Sequence, residues 1–180
     1  MKSEIVGKCV SLRLVKFSDA EFIVKLRNTE KNSKYINETS NEIQAQVEWM
    51  MRDAENLTSH YFIIEDSKSQ PIGTISIYNV DGSRGEFGRW ICSGNVLQSL
   101  ESALLIHHYA FEELKLIEVY TRTLAENKKV VNFHRHFGAI LAQEPVFDSE
   151  YGKKIYSGLV TDKMFNKISE RCQKMIGALL

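Results

Sequence analysis

The stretch YAFEELKLIEVYTRTLAENKKVVNFHRHFGA, residues 109–139, constrains the fold more than any other part of the chain. Its hydrophobic period changes twice. YAFEELKL closes a helical pattern that runs from about Gln98 to Leu114 through LESALLIHHYAFEELKL. IEVYTRTL, Ile117 to Leu124, then reads as a strand. KKVVNFHRHF returns to helical spacing, with Val130, Val131 and Phe133 as its packing side chains. Asn127 stands where an N-cap accepts from the first turn. Gly138 stands where the chain leaves the helix with φ > 0, which glycine permits cheaply. Helix, strand and helix joined this closely belong to a sheet covered by helices.

The remaining elements extend that unit. CVSLRLV, Cys9 to Val15, alternates as a strand does. Ser18 and Glu21 have capping-box spacing and open a helix with Phe22, Ile23 and Leu26 on one face, ending near Arg27-Asn28. TEKNSKYINETSN reads as an ordered loop, and Thr39 with Glu42 opens a second helix carrying Ile43, Val47 and Met50. YFIIED and IGTISIYNV, joined around Ser69 to Pro71, form a hairpin; EFGRWIC follows the DGSRG turn as a further strand. AILAQEPVF and KKIYSGLV supply two late strands. The tail, 162–180, is an amphipathic helix with Phe165, Ile168, Cys172, Met175, Ile176 and Leu179. It either covers the domain's own core, the favoured reading, or mediates self-association as a homodimer. The order predicts one α/β (mixed α+β) domain over 1–180: a mixed, mostly antiparallel central sheet with helices on both sides and an extra C-terminal helix.

Lys plus Arg and Asp plus Glu both number 23, a zero formal charge that argues against a broad nucleic-acid-binding surface. Cys9, Cys92 and Cys172 are scattered with no CxxC, which fits reduced thiols better than disulfides or a zinc site. No metal site is expected. No segment reaches the ~20 apolar residues of a membrane span, and MKSEIVGKCVSLRLV lacks a signal-like apolar run. A cytoplasmic protein is expected.

From about Lys8 to Val160 the chain resembles the GNAT superfamily of N-acetyltransferases. Four stretches carry the resemblance: LRN (Leu26–Asn28) with a loop Tyr and the Trp49-Met50 helix; PIGTISI, like the third strand; GEFGRWI, like a fourth strand often written AEIGYWL; and residues 109–139, like YAFEELGLxxVxLxVxxxNxxAxxxYEKLGF. The front end is similar to two branches, one acting on protein N-terminal amines, including those of ribosomal proteins, the other on nucleotide-linked aminosugars, as in the pseudaminic-acid pathway. The resemblance implies acetyl-CoA as co-substrate and a small-molecule amine as acceptor, with no metal or nucleic acid.

Two residues are candidates for catalysis. His134 occupies the position of a Tyr that protonates the departing thiolate in many members. An imidazole with an ordinary pKa of about 6.5 can serve there, or else fill a polar pocket. His136 should point away, and His107 and His108 suit a solvated face or core edge. Simple alternation puts Glu86, Gly88, Trp90 and Cys92 on one face of their strand. Glu86 among apolar neighbours would be a base with a raised pKa; alternatively it is a strand-edge carboxylate paired with Arg84 or Arg89.

For the cofactor, the resemblance points to Ile91, Cys92, Ser93, Gly94, Asn95, Gln98, Ser99, Asn127 and Val130. The family's pyrophosphate motif, Q/R-x-x-G-x-G/A, is altered: CSGNVLQSLESALL has Asn95 and Leu97 at the glycine positions. A shorter anion-binding loop at the helix start and a merely well-capped helix both fit. Arg27, Asn28, Tyr35, Tyr78, Arg89 and Trp90 are the acceptor-pocket candidates. The favoured acceptor is a nucleotide-linked aminosugar of surface-polysaccharide biosynthesis; the alternatives are a protein N-terminus, or a non-catalytic member that binds a ligand or partner.

Overall fold

The computed structural model of the protein describes residues 4–36 and 39–179. Asn37 and Glu38, within the predicted loop, and Leu180, at the end of the predicted tail helix, lie outside them. In chain order the elements are β1 (Glu4–Val6), β2 (Val10–Leu14), α1 (Ala20–Arg27), α2 (Glu30–Ser33), α3 (Ile43–Ala54), β3 (His60–Asp66), β4 (Pro71–Asp81), β5 (Arg84–Cys92) and α4 (Val96–His108). Then follow β6 (Glu118–Leu124), α5 (Lys128–Phe137), β7 (Ile140–Leu141), β8 (Val146–Asp148), β9 (Lys153–Thr161) and α6 (Asp162–Leu179). The sheet order is β1-β2-β3-β4-β5-β6-β9-β7, with β8 also on β9. Only β5 and β6 run parallel among the described strand pairs; the mixed, mostly antiparallel sheet is as expected.

The two-residue period of β3 shows how the layers form. Phe62 and Ile64 enter a large core with α4, α6, Val10, Leu12, Ile75 and Ile77. Tyr61 and Ile63 enter a smaller core on the opposite face with Ala20 and Ile23 of α1 and Met50 of α3. Phe165, Ile168, Cys172 and Ile176 bury one stripe of α6 in the large core, so the tail covers its own domain.

One irregularity shapes the middle of the sheet. β5 and β6 pair only from Arg84–Glu118 to Glu86–Tyr120, and beyond that point they separate. Past the split, Gly88 pairs with Ser76 and Ile91 with Thr74, so Arg89 and Trp90 together stand opposite one residue. That is a β-bulge, and Arg89 takes a left-handed φ of +49°. The bulge overturns the simple alternation: Trp90 swings onto the face of Phe87, their rings 5.6 Å apart, and away from Glu86.

Other local expectations are also corrected. The turn before α1 is held by Asp19, not Ser18, whose neighbour's carboxylate accepts from Lys16 N at 2.7 Å and from Arg13 at 2.8 Å. α3 opens after Glu42, whose amide donates to Ser40 Oγ at 3.1 Å, while Thr39 Oγ1 accepts from Arg27 Nε at 2.7 Å. The polar loop contains the short α2. The long helix starts at Val96 and widens into a π-turn over Tyr109–Glu113. AILAQEPVF divides into β7 and β8. His107 is no edge residue: it is 2% exposed, its ring 4.8 Å from Phe137 and 5.2 Å from Phe87.

Candidate active site

The split between β5 and β6 opens a cavity of about 590 Å³. Its floor is Phe87, Gly88, Arg89 and Trp90 from β5 and Thr121, Arg122, Thr123 and Leu124 from β6. The strand edges that face each other there are joined by no ladder. α1, α3 and the segment between α2 and α3 wall one side with Arg27, Tyr35, Gln46, Trp49 and Arg52. Asn127, Val130 and His134 of the α5 segment wall the other, and Glu150 and Tyr151 lean in from the β8–β9 loop.

The acceptor candidates come together, with one exception. Arg27, Tyr35, Tyr78, Arg89 and Trp90 all line the cavity. Asn28 lines a separate shallow hollow with Val24, Thr29 and Ile43, and donates to Ser40 O at 3.4 Å. The Arg89 guanidinium lies over three rings, 4.4 Å from Tyr78, 4.8 Å from Trp49 and 5.6 Å from Tyr61. It also donates to Asp53 Oδ1 and Ser59 Oγ, each at 3.0 Å. Burial, and then the like charge of Arg89, lowers the Arg27 pKa. This end of the cavity is therefore aromatic and basic through Arg27 and Arg52, with Arg89 paired to Asp53.

Glu86 sits beneath the floor, 1% exposed, behind Tyr78, Asn79 and Arg122. Arg122 donates Nε to Oε1 at 3.0 Å and an amino group to Oε2 at 3.1 Å. The Tyr78 hydroxyl donates to Oε1 at 2.9 Å and Asn79 Nδ2 to Oε2 at 3.0 Å. The neighbours are polar donors, not the apolar groups expected, and the cation is Arg122 rather than Arg84 or Arg89. Arg84 pairs with Glu118 and Arg89 with Asp53.

His134 lies at the opposite wall, 4% exposed. Its Nε2 is 3.4 Å from Thr121 Oγ1, which is 3.4 Å from Thr123 Oγ1. Phe87 meets it edge-on with centroids 5.5 Å apart. Burial, then the nearby His107, pulls the His134 pKa down to about 3, so the ring is neutral at ordinary pH. His136 is exposed and bonds Asn132 O at 2.7 Å, facing away as expected. Gly138 ends α5 at φ +110°.

The cofactor candidates divide between two places. Asn127 and Val130 are in the cavity, and Asn127 Oδ1 accepts from Val130 N at 3.3 Å as an N-cap. Ile91, Cys92, Ser93, Gly94, Asn95, Gln98 and Ser99 lie outside its lining, at the end of β5 and the start of α4. Asn95 and Gln98 form a reciprocal capping box, each side chain accepting the other's amide at 2.9 Å. Ser93 N donates to Ile72 O at 2.8 Å and Ser99 N to Asn95 O at 3.0 Å. The amides of Gly94, Val96 and Leu97 have no partner among the described residues and are the ones left for an anion.

Sequence reasoning missed Arg122, Thr121, Thr123, Glu150 and Tyr151. The signal was in IEVYTRTL: Tyr120, Arg122 and Leu124 share one face of a strand whose other face is Val119, Thr121 and Thr123, and a mid-strand arginine needs a partner. Among the described residues no His, Cys, Asp or Glu cluster is placed to hold a metal, and no helix is long and apolar enough to cross a membrane.

Comparison with known proteins gives this arrangement a context. The family model described as "Acetyltransferase (GNAT) domain" matches residues 10–140. A structure described as apo FdhC, a nucleotide-linked sugar GNAT, is 27% identical, with a TM-score of 0.77 over 93% of this chain and 95% of that one. Spermidine N-acetyltransferase from Vibrio cholerae in complex with CoA and spermine is 17% identical, with a TM-score of 0.79 over 89% and 99% of the two chains. A GCN5-related N-acetyltransferase from Brucella melitensis is 14% identical, with a TM-score of 0.79 over 96% and 85%. The last two likenesses concern the fold alone. No curated protein sequence matches significantly.

Proposed function

Because the chain belongs to the acetyltransferase (GNAT) domain family, we propose that it transfers the acetyl group of acetyl-CoA to a primary amine, carried by a nucleotide-linked aminosugar. The observation that carries the acceptor is the charge of the cavity: Arg27, Arg52 and Arg89 line it beside Tyr35, Trp49 and Tyr78. Guanidinium groups bind diphosphate oxygens, and aromatic faces stack on a base. A polycation such as spermine, bound in the Vibrio cholerae structure, would meet like charge here. The FdhC structure, described as a nucleotide-linked sugar GNAT, supports the same reading.

The unpaired edges of β5 and β6 fit acetyl-CoA, since an amide-bearing pantetheine arm can pair there as a strand would. Asn127 and Val130 would flank that arm, and the amides of Gly94, Val96 and Leu97 would face the pyrophosphate. When bound, acetyl-CoA supplies an activated acyl group and a thiol leaving group. The chain must take a proton from the acceptor ammonium, with Glu86 as the ultimate base, and the sulfur must gain one. His134, being neutral, would offer the departing sulfur a ring N–H hydrogen bond, with Thr121 fixing the ring, while the proton itself comes from the attacking nitrogen as it loses its second N–H on forming the amide.

The test has two stages. Calorimetric titration with acetyl-CoA should give micromolar binding. CoA release should then be fastest with UDP- or dTDP-linked aminosugars among a panel that also contains spermidine and N-terminal peptides. No binding at millimolar acetyl-CoA would sink the enzyme reading and leave a ligand-binding member. Turnover confined to peptides or spermidine would sink the acceptor.

A further inference from the structure

Glu86 is separated from the cavity by three side chains that bond it, Tyr78, Asn79 and Arg122. The carboxylate is 1% exposed and lines no part of the cavity, and its contacts are Arg122, Asn79 and Tyr78. Arg122 is permanently charged and an amide is no carrier, so neither can pass a proton to it. Tyr78 both lines the cavity and donates to Glu86 Oε1 at 2.9 Å. Gly88, on the floor where the strands separate, makes room for the phenol: a Cβ there would lie 2.8 Å from the Tyr78 oxygen. Of the three side chains that bond the carboxylate, Tyr78 is the one that both reaches the cavity and can carry a proton.

We propose that Tyr78 is the catalytic proton carrier of the acyl transfer, a role resting on the N-acetyltransferase reading above. The acceptor ammonium N–H bond breaks and its proton joins the Tyr78 oxygen. The phenol's own O–H bond breaks in the same movement, and that proton joins Glu86 Oε1. The products are a neutral amine with its lone pair free to attack, an unchanged phenol and a neutral Glu86 carboxyl, with no change in total charge. Glu86 is then a positioning and storage residue that acts through Tyr78.

The charged and titratable groups facing this pair are Arg89 on β5, Tyr120 and Arg122 on β6, and Tyr151 in the β8–β9 loop. Burial, then Glu86, pushes the phenol pKa well above its ordinary range, so Tyr78 enters the reaction protonated. A phenolate base is thereby excluded and a carrier is not. Arg89, 4.4 Å from the ring centroid, steadies the negative charge that the oxygen bears in transit.

The experiment measures kcat and KM from pH 6 to 10 with acetyl-CoA and a UDP-linked aminosugar, for the wild type, Tyr78→Phe, Glu86→Gln and the double variant. Thermal melts report folding, and acetyl-CoA calorimetry reports the cofactor site. Tyr78→Phe should lose about 100-fold or more in kcat at pH 7. It should keep KM and acetyl-CoA affinity within a few-fold, and recover towards pH 10, where solvent deprotonates the amine. Glu86→Gln should show the same profile, and the double variant should be no slower than the worse single one. An equal loss at every pH would assign Tyr78 to structure and overturn the proposal, as would additive losses in the double variant. An active wild type with unaffected Tyr78→Phe overturns the carrier alone. A wild type that binds no acetyl-CoA and acetylates nothing overturns the enzyme reading and the carrier together.

Discussion

Glu86 and the pair His107 and His134 are buried to the same depth, with 1%, 2% and 4% exposure, on two sides of one strand. Their surroundings are opposite. Glu86 is surrounded by donors that suit its charge: two arms of Arg122, a phenol and an amide. The histidines are packed among Phe87, Phe133, Phe137 and Phe165 with one uncharged polar contact each, Ala103 O for His107 and Thr121 Oγ1 for His134, and no carboxylate, so burial favours the neutral ring. Depth of burial does not decide whether a group carries charge; the partners delivered to it do. The protein holds a buried charge and two buried neutral bases within one sheet layer's reach.

Acid should break this contrast most strongly. The folded pKa values of His107 and His134 lie near 4 and 3, below the unfolded value of about 6.5. The unfolded chain therefore takes up protons first. The stability is fully present above pH 6.5 and is lost as pH falls towards the folded values. Two such groups should together lower stability by several kcal/mol, on the order of 4, between pH 7.5 and pH 5. His60, lowered by burial as well, acts in the same direction. Urea denaturation at steps from pH 7.5 to 5 checks this, and His134→Phe should remove about half of the slope. A flat profile would mean that water reaches both rings.

Arg122→Ala strikes the other side of the contrast. It leaves the Glu86 carboxylate buried with only Tyr78 and Asn79, and the expected loss is about 3 kcal/mol. Arg122→Lys should recover only part of it, because one ammonium cannot span both oxygens as the guanidinium does. Urea midpoints at pH 7.5, where the histidines are neutral in the folded and the unfolded chain alike, isolate the effect. A loss below 1 kcal/mol would show that solvent replaces the guanidinium.

What the sequence could convey about this site follows from range. The segment from Tyr109 to Ala139 was legible because its caps act locally: Asn127 on Val130, Gly138 at the end of its own helix. The well-capped start of the long helix was legible for the same reason, its cap being the local pair Asn95 and Gln98. The neighbours of Glu86 were not. Tyr78 reaches it across a hairpin and Arg122 across the one parallel pair of the described sheet, contacts that no periodicity encodes. The place of Trp90 was misjudged because alternation assumes two residues per repeat, and the bulge at Arg89 inserts one more. For His107, adjacent to His108 on α4, polarity suggested an edge; the ring is enclosed by Phe87 of β5 and Phe137 of α5, contacts between elements distant in the chain.

The smallest effect is the sharpest test of the contrast, because it uses the same arginine. Arg122 approaches Glu150 at 2.6 Å, closer than the 3.0 Å of its contact with Glu86. Distance alone would rank the Glu150 contact as the stronger. Glu150 is 70% exposed, however, so water and salt screen the attraction and an isolated carboxylate there stays well hydrated. Glu150→Gln should therefore change stability by less than about 0.5 kcal/mol at 0.15 M salt. A double-mutant cycle of Glu150→Gln with Arg122→Ala should give a coupling that fades as salt is raised to 1 M. A loss comparable to that of Arg122→Ala would mean that the β8–β9 loop closes over the arginine and dries it, and the cavity wall would then belong to the buried half of the contrast.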